Sequence, residues 1–294
     1  MHGPGERSSQ VIESETRRRV HEIVRSRMTY DVSALVEHFV EDVELNYSCS
    51  RLGLLPPGQW RGRDALRAHL RRVDVDYEPL EAEILSVLVE GENTVVRWIG
   101  SWRHRATGLV QSMCMAHFLR WQNGLVSEMY EFRDHHCEAT RGADYLLQSL
   151  DEILNPRGPG LTRDEMARRL VAMSSFSCGP DIELIRELCS PDVICEFVGD
   201  RATISYAGRH RGVDALVNIV RGIGVDFEQL GHAMPDEVIV DGGNAAARRT
   251  VEWRHRGTGR RGQVQLADFV RFEDGLIVEI VEFRDSTALL QMQA

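Results

Sequence analysis

Hydrophobic positions early in the chain recur with the period of a helix. In the first segment the apolar residues are Val20, Ile23, Val24 and Met28. They stand three or four residues apart along most of this segment, which places them on one face of an amphipathic helix. A shorter amphipathic segment follows, with Leu35, Val36 and Phe39. The sequence therefore predicts a long helix and then a short one.

Further along, the pattern changes to the alternation that is typical of strands. A short strand is predicted over 43–47, and a helix begins near Gly62. Four strand-like runs then cover residues 80–90, 93–105, 109–121 and 125–134. Asn123-Gly124 between the last two runs is a strong hairpin signal, because both residues tolerate positive φ. Helices followed by antiparallel hairpins predict an α+β fold, in which three helices pack on a curved, mostly antiparallel sheet.

The same order of segments occurs twice along the chain. WRHRATG begins at Trp102 and WRHRGTG at Trp253, and the tetrapeptide EFRD recurs at Glu131 and Glu282. A chain of 294 residues is long enough for two cores. We therefore predict two tandem domains, preceded by a mobile tail and joined by a linker that contains a helix. The predicted ranges are 1–16 for the tail, 17–137 for the first domain, 138–163 for the linker and 164–294 for the second domain.

Charge, hydrophobicity and cysteine content indicate which partners, location and cysteine redox state to expect. The 45 acidic and 35 basic residues are interspersed, for a net charge of −10. This distribution has no basic stripe to neutralise a phosphate backbone, so we expect no nucleic acid partner. The N-terminus lacks the apolar run of a signal peptide, and no window approaches the ~18 apolar residues of a membrane span, so we expect a cytoplasmic protein. The six cysteines form no Cys-x-x-Cys pair, and we expect them to be reduced.

The order of elements and two motifs resemble a known family. RGRDAL at 61–66 opens the third helix, and GLVSEMYEFRD at 124–134 ends the hairpins. With these features the chain resembles the SnoaL-like branch of the nuclear transport factor 2-like superfamily, which is related to polyketide cyclases, ketosteroid isomerase and scytalone dehydratase. The resemblance implies two cone-shaped domains, each with a hydrophobic pocket between helices and sheet. It also implies pairing through the outer faces of the sheets, so we expect an internal pseudo-dimer, with further oligomerisation left open.

The resemblance further implies an acid/base residue at the end of the last strand. It places Asp134, with Phe132 and Tyr130, towards the pocket, and Asp285 is the equivalent aspartate in the second copy. A carboxylate in an apolar pocket is a suitable base, because desolvation raises its pKa towards neutral pH. The alternative is that the aspartate caps the strand end or pairs with a neighbouring arginine.

Two histidines occupy equivalent positions in the WRHR motifs. His104 and His255 can relay a proton if they face the pocket, since imidazole titrates near neutral pH. In the alternative interpretation each histidine only bonds a neighbouring strand or helix.

The two copies differ in the polar residues expected at their pockets. The first copy has Tyr47, His117 and Tyr130, where the second has Phe197, Asp268 and Val281. Tyrosine hydroxyls can hold a developing oxygen anion. Asp268 and Asp285 in apolar surroundings can instead keep one carboxylate protonated.

The sequence thus predicts an acid/base enzyme that needs neither cofactor nor metal. It would be a cyclase, isomerase or dehydratase that acts on a small hydrophobic cyclic or polyketide-like molecule. The first copy is the expected active pocket, with Asp134 as acid/base and with orienting or polarising roles for Tyr47, Tyr130, His104 and His117. The alternative is a non-catalytic module of the same fold that binds a small ligand or a protein.

Overall fold

The computed structural model describes residues 4–48, 58–134, 157–174, 182–231 and 234–294. The chain divides into two compact units, Met1–His135 and His136–Ala294, which we call domain 1 and domain 2. Each unit contains helices and one curled sheet, which confirms the predicted α+β class. The helix predicted in the linker falls outside the described residues.

Domain 1 has three helices and six strands within its described residues. They are α1 (Pro4–Met28), α2 (Val32–Val36), β1 (Phe39–Tyr47), β2 (Gly58–Arg61), α3 (Arg63–Asp76), β3 (Tyr77–Glu90), β4 (Asn93–His104), β5 (Val110–Gln122) and β6 (Leu125–Asp134). The strand order is β2-β1-β6-β5-β4-β3. Strands β1 and β6 run parallel, and the other neighbouring pairs are antiparallel. The sheet is therefore mostly antiparallel, as predicted.

Helix α1 is longer than the sequence predicts. It begins at Pro4, inside the segment 1–16 that the sequence predicts to be a mobile tail. The predicted apolar face of the helix is present, because Val20, Ile23 and Val24 are each at most 4% exposed. They belong to the core between the helices and the sheet of domain 1. The first residues are polar and show no apolar period from which a helix could be predicted. The helix is stabilised by the packing of its later turns on the sheet.

Within its described residues, domain 2 repeats this order with two short strands in place of β3 and one additional helix at its end. Its elements are α4 (Arg163–Met173), α5 (Ile182–Leu188), β7 (Cys189–Val198), β8 (Gly208–Arg211), α6 (Val213–Asp226), β9 (Phe227–Gln229), β10 (Glu237–Asp241), β11 (Asn244–His255), β12 (Arg261–Glu273), β13 (Leu276–Arg284) and α7 (Ser286–Gln293). The strand order is β10-β11-β12-β13-β7-β8, and β9 pairs with β11. Of the helices described in both domains, none has the length and apolar character to cross a membrane.

The last hairpin of each domain has the turn that its sequence predicts. Asn123 and Gly124 have φ of 52° and 75°, and Asp274 and Gly275 have φ of 48° and 85°. Two consecutive residues with positive φ match the right-handed twist of the flanking strands. The Asn-Gly and Asp-Gly signals are confirmed.

The cysteines are not all reduced. Cys189 and Cys195 are free and buried, and burial raises the pKa of the Cys189 thiol to about 12. Cys114 in β5 is disulfide-bonded. The expectation of reduced thiols is therefore wrong for Cys114 and right for these two residues, while the other three cysteines fall outside the described residues.

Candidate functional site

The final strand of domain 1 turns Glu131 and Arg133 towards the helices. Glu131 pairs with Arg27 of α1 at 2.8 Å, and Arg133 lines a pocket together with Arg27. Successive side chains on a strand point to opposite faces. The residues on the other face of the sheet are therefore Tyr130, Phe132 and Asp134.

The expectation that Asp134 and Tyr130 line the pocket is wrong. The resemblance had assigned the inward face to Asp134, whereas the strand contains a β-bulge: Trp121 pairs with Val126 and Arg120 with Glu128, so that one residue of β6 is skipped. Simple alternation from the core residue Val126 would turn Asp134 inward. The extra residue reverses the alternation for the rest of the strand, and Asp134 lies opposite Cys114 on the outer face.

Asp285 caps the C-terminal helix of domain 2. Its Oδ1 accepts hydrogen bonds from the backbone amides of Thr287 at 3.1 Å and Ala288 at 3.0 Å. Helix α7 begins at the next residue, Ser286. A carboxylate at this position satisfies free amides and complements the helix dipole. Asp285 thus caps a helix, whereas the alternative left open by the sequence was a cap at the strand end or a pair with an arginine.

His104 and His255 stabilise the turns that follow the WRHR motifs. The Nδ1 atom of His104 accepts a hydrogen bond from the amide of Thr107 at 3.2 Å, and His255 does the same with Thr258 at 3.2 Å. Each threonine hydroxyl lies 3.0 Å from the same ring nitrogen. The repeated motif is therefore a hairpin signature, and neither histidine is among the pocket-lining residues described.

A buried ionic cluster joins α1 to the sheet of domain 1. Glu131 Oε2 lies 2.8 Å from Arg27 Nη1 and 3.2 Å from His117 Nε2, and Glu131 Oε1 lies 3.3 Å from Arg133 Nη1. Burial opposes ionisation of Glu131, but Arg27, His117 and Arg133 together hold its pKa well below its usual range. Burial lowers the pKa of His117, so this imidazole is neutral near pH 7. The cluster therefore carries two guanidinium charges against one carboxylate.

Several polar atoms beside this cluster have no hydrogen-bond partner in the part of the chain that the structure describes. They are Tyr47 Oη, both ring nitrogens of His69, both ring nitrogens of His117 and Arg133 Nε; the 3.2 Å approach of His117 Nε2 to Glu131 is thus a close contact without hydrogen-bond geometry. The rings of Tyr47 and His69 are 5.2 Å apart. Burial raises the pKa of Tyr47 and lowers the pKa of His69 to about 3, so both are neutral. Because buried polar groups are rarely left unpaired, bound water or a ligand is expected to supply their partners.

A narrow pocket lies against the two arginines of this cluster. The lining residues are Arg27, Tyr30, Leu70, Val73, Trp102, Met113, Met115 and Arg133. The cavity volume is about 20 Å³, roughly the space that one water molecule needs. Burial raises the pKa of Tyr30 to about 12, so its hydroxyl stays protonated and can donate. Apolar walls with two guanidinium groups and one phenol suit a hydrophobic molecule that carries an oxygen anion.

Domain 2 has a balanced ionic network at the equivalent strand positions. Asp268 pairs with Glu282 in the strand register, as His117 pairs with Glu131 in domain 1. Arg249 Nε lies 3.0 Å from Asp268 Oδ2, and Arg249 Nη2 lies 3.8 Å from Glu282 Oε2. Burial raises the pKa of Asp268 to about 6, although Arg249 opposes the shift. Here a second carboxylate takes the place of the neutral histidine.

Arg284 is enclosed by residues of its own domain. It pairs with Glu282 and donates a hydrogen bond to the hydroxyl of Tyr206. Its guanidinium carbon lies 5.1, 5.2 and 5.8 Å from the ring centroids of Tyr206, Trp253 and Phe197. Tyr206 thus contacts Arg284 through both its hydroxyl and its ring.

The structure brings together some of the predicted residues and several that the sequence interpretation missed. Tyr47, His117 and Asp268 face the helices, but Tyr47 and His117 are not among the described lining residues of the pocket. The missed residues are Arg27, Tyr30, His69, Glu131 and Arg133. One signal for two of them was present in the sequence, because the EFRD motif keeps the same Glu-x-Arg pair in both copies while other pocket positions differ.

A family model of the SnoaL-like domain matches the chain twice, over residues 19–129 and 168–280. These two stretches cover most of both domains. No curated protein sequence matches the chain significantly.

Solved structures are similar to one domain at a time. A nuclear transport factor 2-like protein of unknown function from Burkholderia pseudomallei is 19% identical, with 45% of this chain and 98% of that chain covered and a TM-score of 0.39. Another from Burkholderia xenovorans is 17% identical, with 44% and 97% covered and a TM-score of 0.38. A protein with a ketosteroid isomerase-like fold from Catenulispora acidiphila, solved with trimethylamine, is 14% identical, with 38% and 82% covered and a TM-score of 0.34. At such low identities and scores these similarities say nothing about activity.

Proposed function

The chain belongs to the SnoaL-like domain family, with one member in each half, and from this premise we propose that domain 1 is an acid/base enzyme that stabilises an oxygen anion on a small hydrophobic molecule. The observation that carries the proposal is the pair of buried arginines, Arg27 and Arg133, which share the carboxylate of Glu131 beside the pocket. The substrate is a cyclic or polyketide-like ketone. The reaction is a cyclisation, isomerisation or dehydration that passes through an enolate and needs no cofactor.

An excess of positive charge in a buried site favours an anion. Attraction between charges grows as the local dielectric falls, and a buried charge without full compensation is costly until a counter-charge arrives. The protonated hydroxyl of Tyr30 adds a neutral donor to the same pocket. Donors arranged in this way stabilise an enolate more than the neutral ketone, which is the condition for rate acceleration.

We assign proton transfer to His117. Its imidazole is neutral because burial lowers its pKa, and its Nε2 lies 3.2 Å from Glu131 Oε2. The carboxylate stabilises the imidazolium that forms when the ring accepts a proton. His117 is not among the described lining residues, so this step requires the pocket to widen around the bound molecule. The small free volume of the pocket also requires widening for any ligand larger than a few atoms.

A second candidate is a non-catalytic module that binds a small hydrophobic anion. One observation favours it: the described lining residues include neither a carboxylate nor an imidazole. In that case the two arginines hold a carboxylate or a similar anion, and no proton is transferred.

Deuterium exchange at the α-carbon of cyclohexanone tests the enzymatic proposal. We expect the protein to accelerate this exchange in D₂O above the buffer rate, as measured by proton NMR. Replacing Arg133→Met is expected to slow the exchange at least tenfold. The matched control is Arg284→Met, the same change at the equivalent position of domain 2, and it leaves the exchange rate unchanged.

Binding of cyclohexanecarboxylate separates the two candidates. The non-catalytic module is supported if cyclohexanone exchanges only at the buffer rate and cyclohexanecarboxylate binds. This binding should then be lost in Arg133→Met and kept in Arg284→Met. If neither exchange nor binding depends on Arg133, both candidates are wrong.

A further inference from the structure

A second cavity lies in domain 2, between the start of β12 and the C-terminal helix α7. Its volume is about 260 Å³, close to the lower end of the range of about 300–1,000 Å³ that is typical of small-molecule sites. The lining residues are Arg260, Arg261, Gly262, Gln263, Ala288, Gln291 and Met292. They supply two guanidinium groups, two side-chain amides and an apolar wall, and none of these lining residues carries a carboxylate.

Contacts at both ends of α7 fix the wall of this cavity. At its start, Asp285 caps the helix. At its end, Thr258 Oγ1 donates a 2.6 Å hydrogen bond to the carbonyl oxygen of Met292. Leu289 and Met292 are buried in the apolar cluster of this part of domain 2. Because the wall is already ordered, a ligand that binds there does not have to order it.

Gly262 allows α7 to approach the strand closely. A Cβ atom at this position would lie 3.0 Å from Met292 Sδ. A glycine inside a strand commonly marks such a close approach. The absence of a side chain at Gly262 therefore lets Met292 form the apolar side of the cavity.

The start of β12 has a free edge on the side of α7. Among the described residues, β13 pairs with β12 only from Leu266 onward, whereas β12 begins at Arg261. On this side the carbonyl oxygen of Gln265 accepts a hydrogen bond from the Asp285 amide at 3.0 Å. Alternate residues of a strand direct their amides to the same side. The N–H groups of Arg261 and Gln263 therefore point to this edge and can donate to a ligand.

The two arginines give the cavity a positive charge. Arg260 donates a 3.3 Å hydrogen bond to the carbonyl oxygen of Gln291, and it forms no ion pair with any residue that the structure describes. Arg261 lies 4.0 Å from Glu252, and both side chains of that pair are largely exposed. Exposed ion pairs are weak, so Arg261 remains available to a ligand. The planar guanidinium group matches the two oxygens of a carboxylate.

We propose that this cavity is a binding site for a small aliphatic carboxylate. Arg260, Arg261 and the amides of the strand edge hold the carboxylate oxygens. The apolar chain of the ligand lies against Ala288 and Met292. This site is separate from the pocket of domain 1 and does not rest on the function proposed for that pocket.

Methyl NMR of the full chain, with ¹³C-labelled methionine methyl groups, tests this site. The signal of Met292, assigned with Met292→Leu, is expected to shift saturably on titration with hexanoate. Hexanamide has the same shape without the charge, and acetate has the charge without the chain, so each is expected to bind at least tenfold more weakly. Met113 and Met115 line the pocket of domain 1, so the Met292 signal reports on domain 2 separately.

Three replacements and one matched control locate the bound molecule. Arg260→Gln and Arg261→Gln are each expected to weaken hexanoate binding at least fivefold, and both side chains are exposed, so the fold is kept. Ala288→Leu fills the cavity, keeps both arginines and is expected to abolish the shift. The control is Arg256→Gln, on the same hairpin but not among the described lining residues, and it leaves binding unchanged.

The proposal is overturned if hexanoate leaves the Met292 signal in place, or if hexanamide or acetate binds as tightly as hexanoate. It is also overturned if Arg256→Gln weakens binding as much as Arg260→Gln, or if Ala288→Leu still binds. None of these outcomes depends on whether domain 1 is an enzyme, which the exchange measurements with Arg133→Met decide.

Discussion

The guanidinium of Arg27 donates a 2.8 Å hydrogen bond to the carboxylate of Glu131, and this contact ties helix α1 to the last strand of the first sheet across 104 positions of the sequence. The Glu131 side chain is fully buried, and that of Arg27 is 12% exposed. Ion pairs of this kind leave an uncompensated buried charge when one partner is removed. The contact that holds the helix on the sheet therefore also sets the charge of the pocket.

Replacing Glu131→Gln is expected to destabilise domain 1 by about 3–5 kcal/mol, because Arg27 and Arg133 both lose their carboxylate in a buried site. Urea unfolding followed by tryptophan fluorescence measures the change. The control is Glu78→Gln, whose carboxylate pairs with Arg103 at 2.9 Å on the surface. An exposed pair contributes less than about 1 kcal/mol, so equal losses in the two variants would refute the structural role of Glu131.

Asp134→Asn is expected to leave ligand binding and ketone exchange unchanged, because Asp134 lies on the face of the sheet away from the pocket. Its neighbour Arg133 lines the pocket, so Arg133→Met is the matched positive control. Calorimetry with cyclohexanecarboxylate and NMR exchange with cyclohexanone measure the two properties. If Asp134→Asn loses exchange of cyclohexanone but keeps its stability and its binding of cyclohexanecarboxylate, Asp134 is the acid/base residue and this prediction is wrong.

Asp285→Ala is expected to lower the free energy of unfolding by about 1 kcal/mol, through loss of the cap on α7. Asp285→Ser keeps a capping oxygen and is expected to retain most of the stability. Thermal unfolding of both variants measures the difference. A capping role predicts no change in exchange of cyclohexanone, and a changed rate at unchanged stability would contradict it.

Asp268 is expected to make the stability of domain 2 fall as pH rises through the weakly acidic range. Burial raises its folded pKa to about 6, while an unfolded aspartate has a pKa of about 3.9. Between these values the folded domain binds more protons than the unfolded chain, so stability decreases from about pH 4 to about pH 6.

Urea unfolding at several pH values, followed by NMR signals from β12 and β13, measures this dependence. Asp268→Asn removes the titrating group and is expected to lose this part of the pH dependence. An identical pH profile for the two proteins would show that Asp268 does not titrate in this window.

Local patterns in the sequence identified most of the fold. The strands predicted over 80–90, 93–105, 109–121 and 125–134 correspond closely to β3–β6, because alternation and turn residues act within a few positions of one another. The short strand β2 lacks such a pattern. The start of α1 was also missed, because its first residues are polar and have no apolar period. Only the later turns of this helix pack on the sheet.

The candidate site depended on information that no local pattern carries. Strand alternation placed Tyr130, Phe132 and Asp134 on one face, but only the family resemblance indicated which face it was, and the bulge beside Trp121 sets that face in the structure. Arg27 and His69 stand on helices far from Glu131 in the chain. Their convergence follows from the packing of helices on the sheet.

The sequence by itself determined that this chain is a tandem repeat of one α+β domain, because repeated motifs and the periods of helices and strands are properties of neighbouring residues. It also showed that the copies differ at Tyr47 and His117. Only the tertiary structure showed which side chains surround these positions in each domain. Arg133 borders a pocket together with Arg27, and Arg284 donates a hydrogen bond to Tyr206; both arrangements depend on how segments that are distant in the sequence pack together.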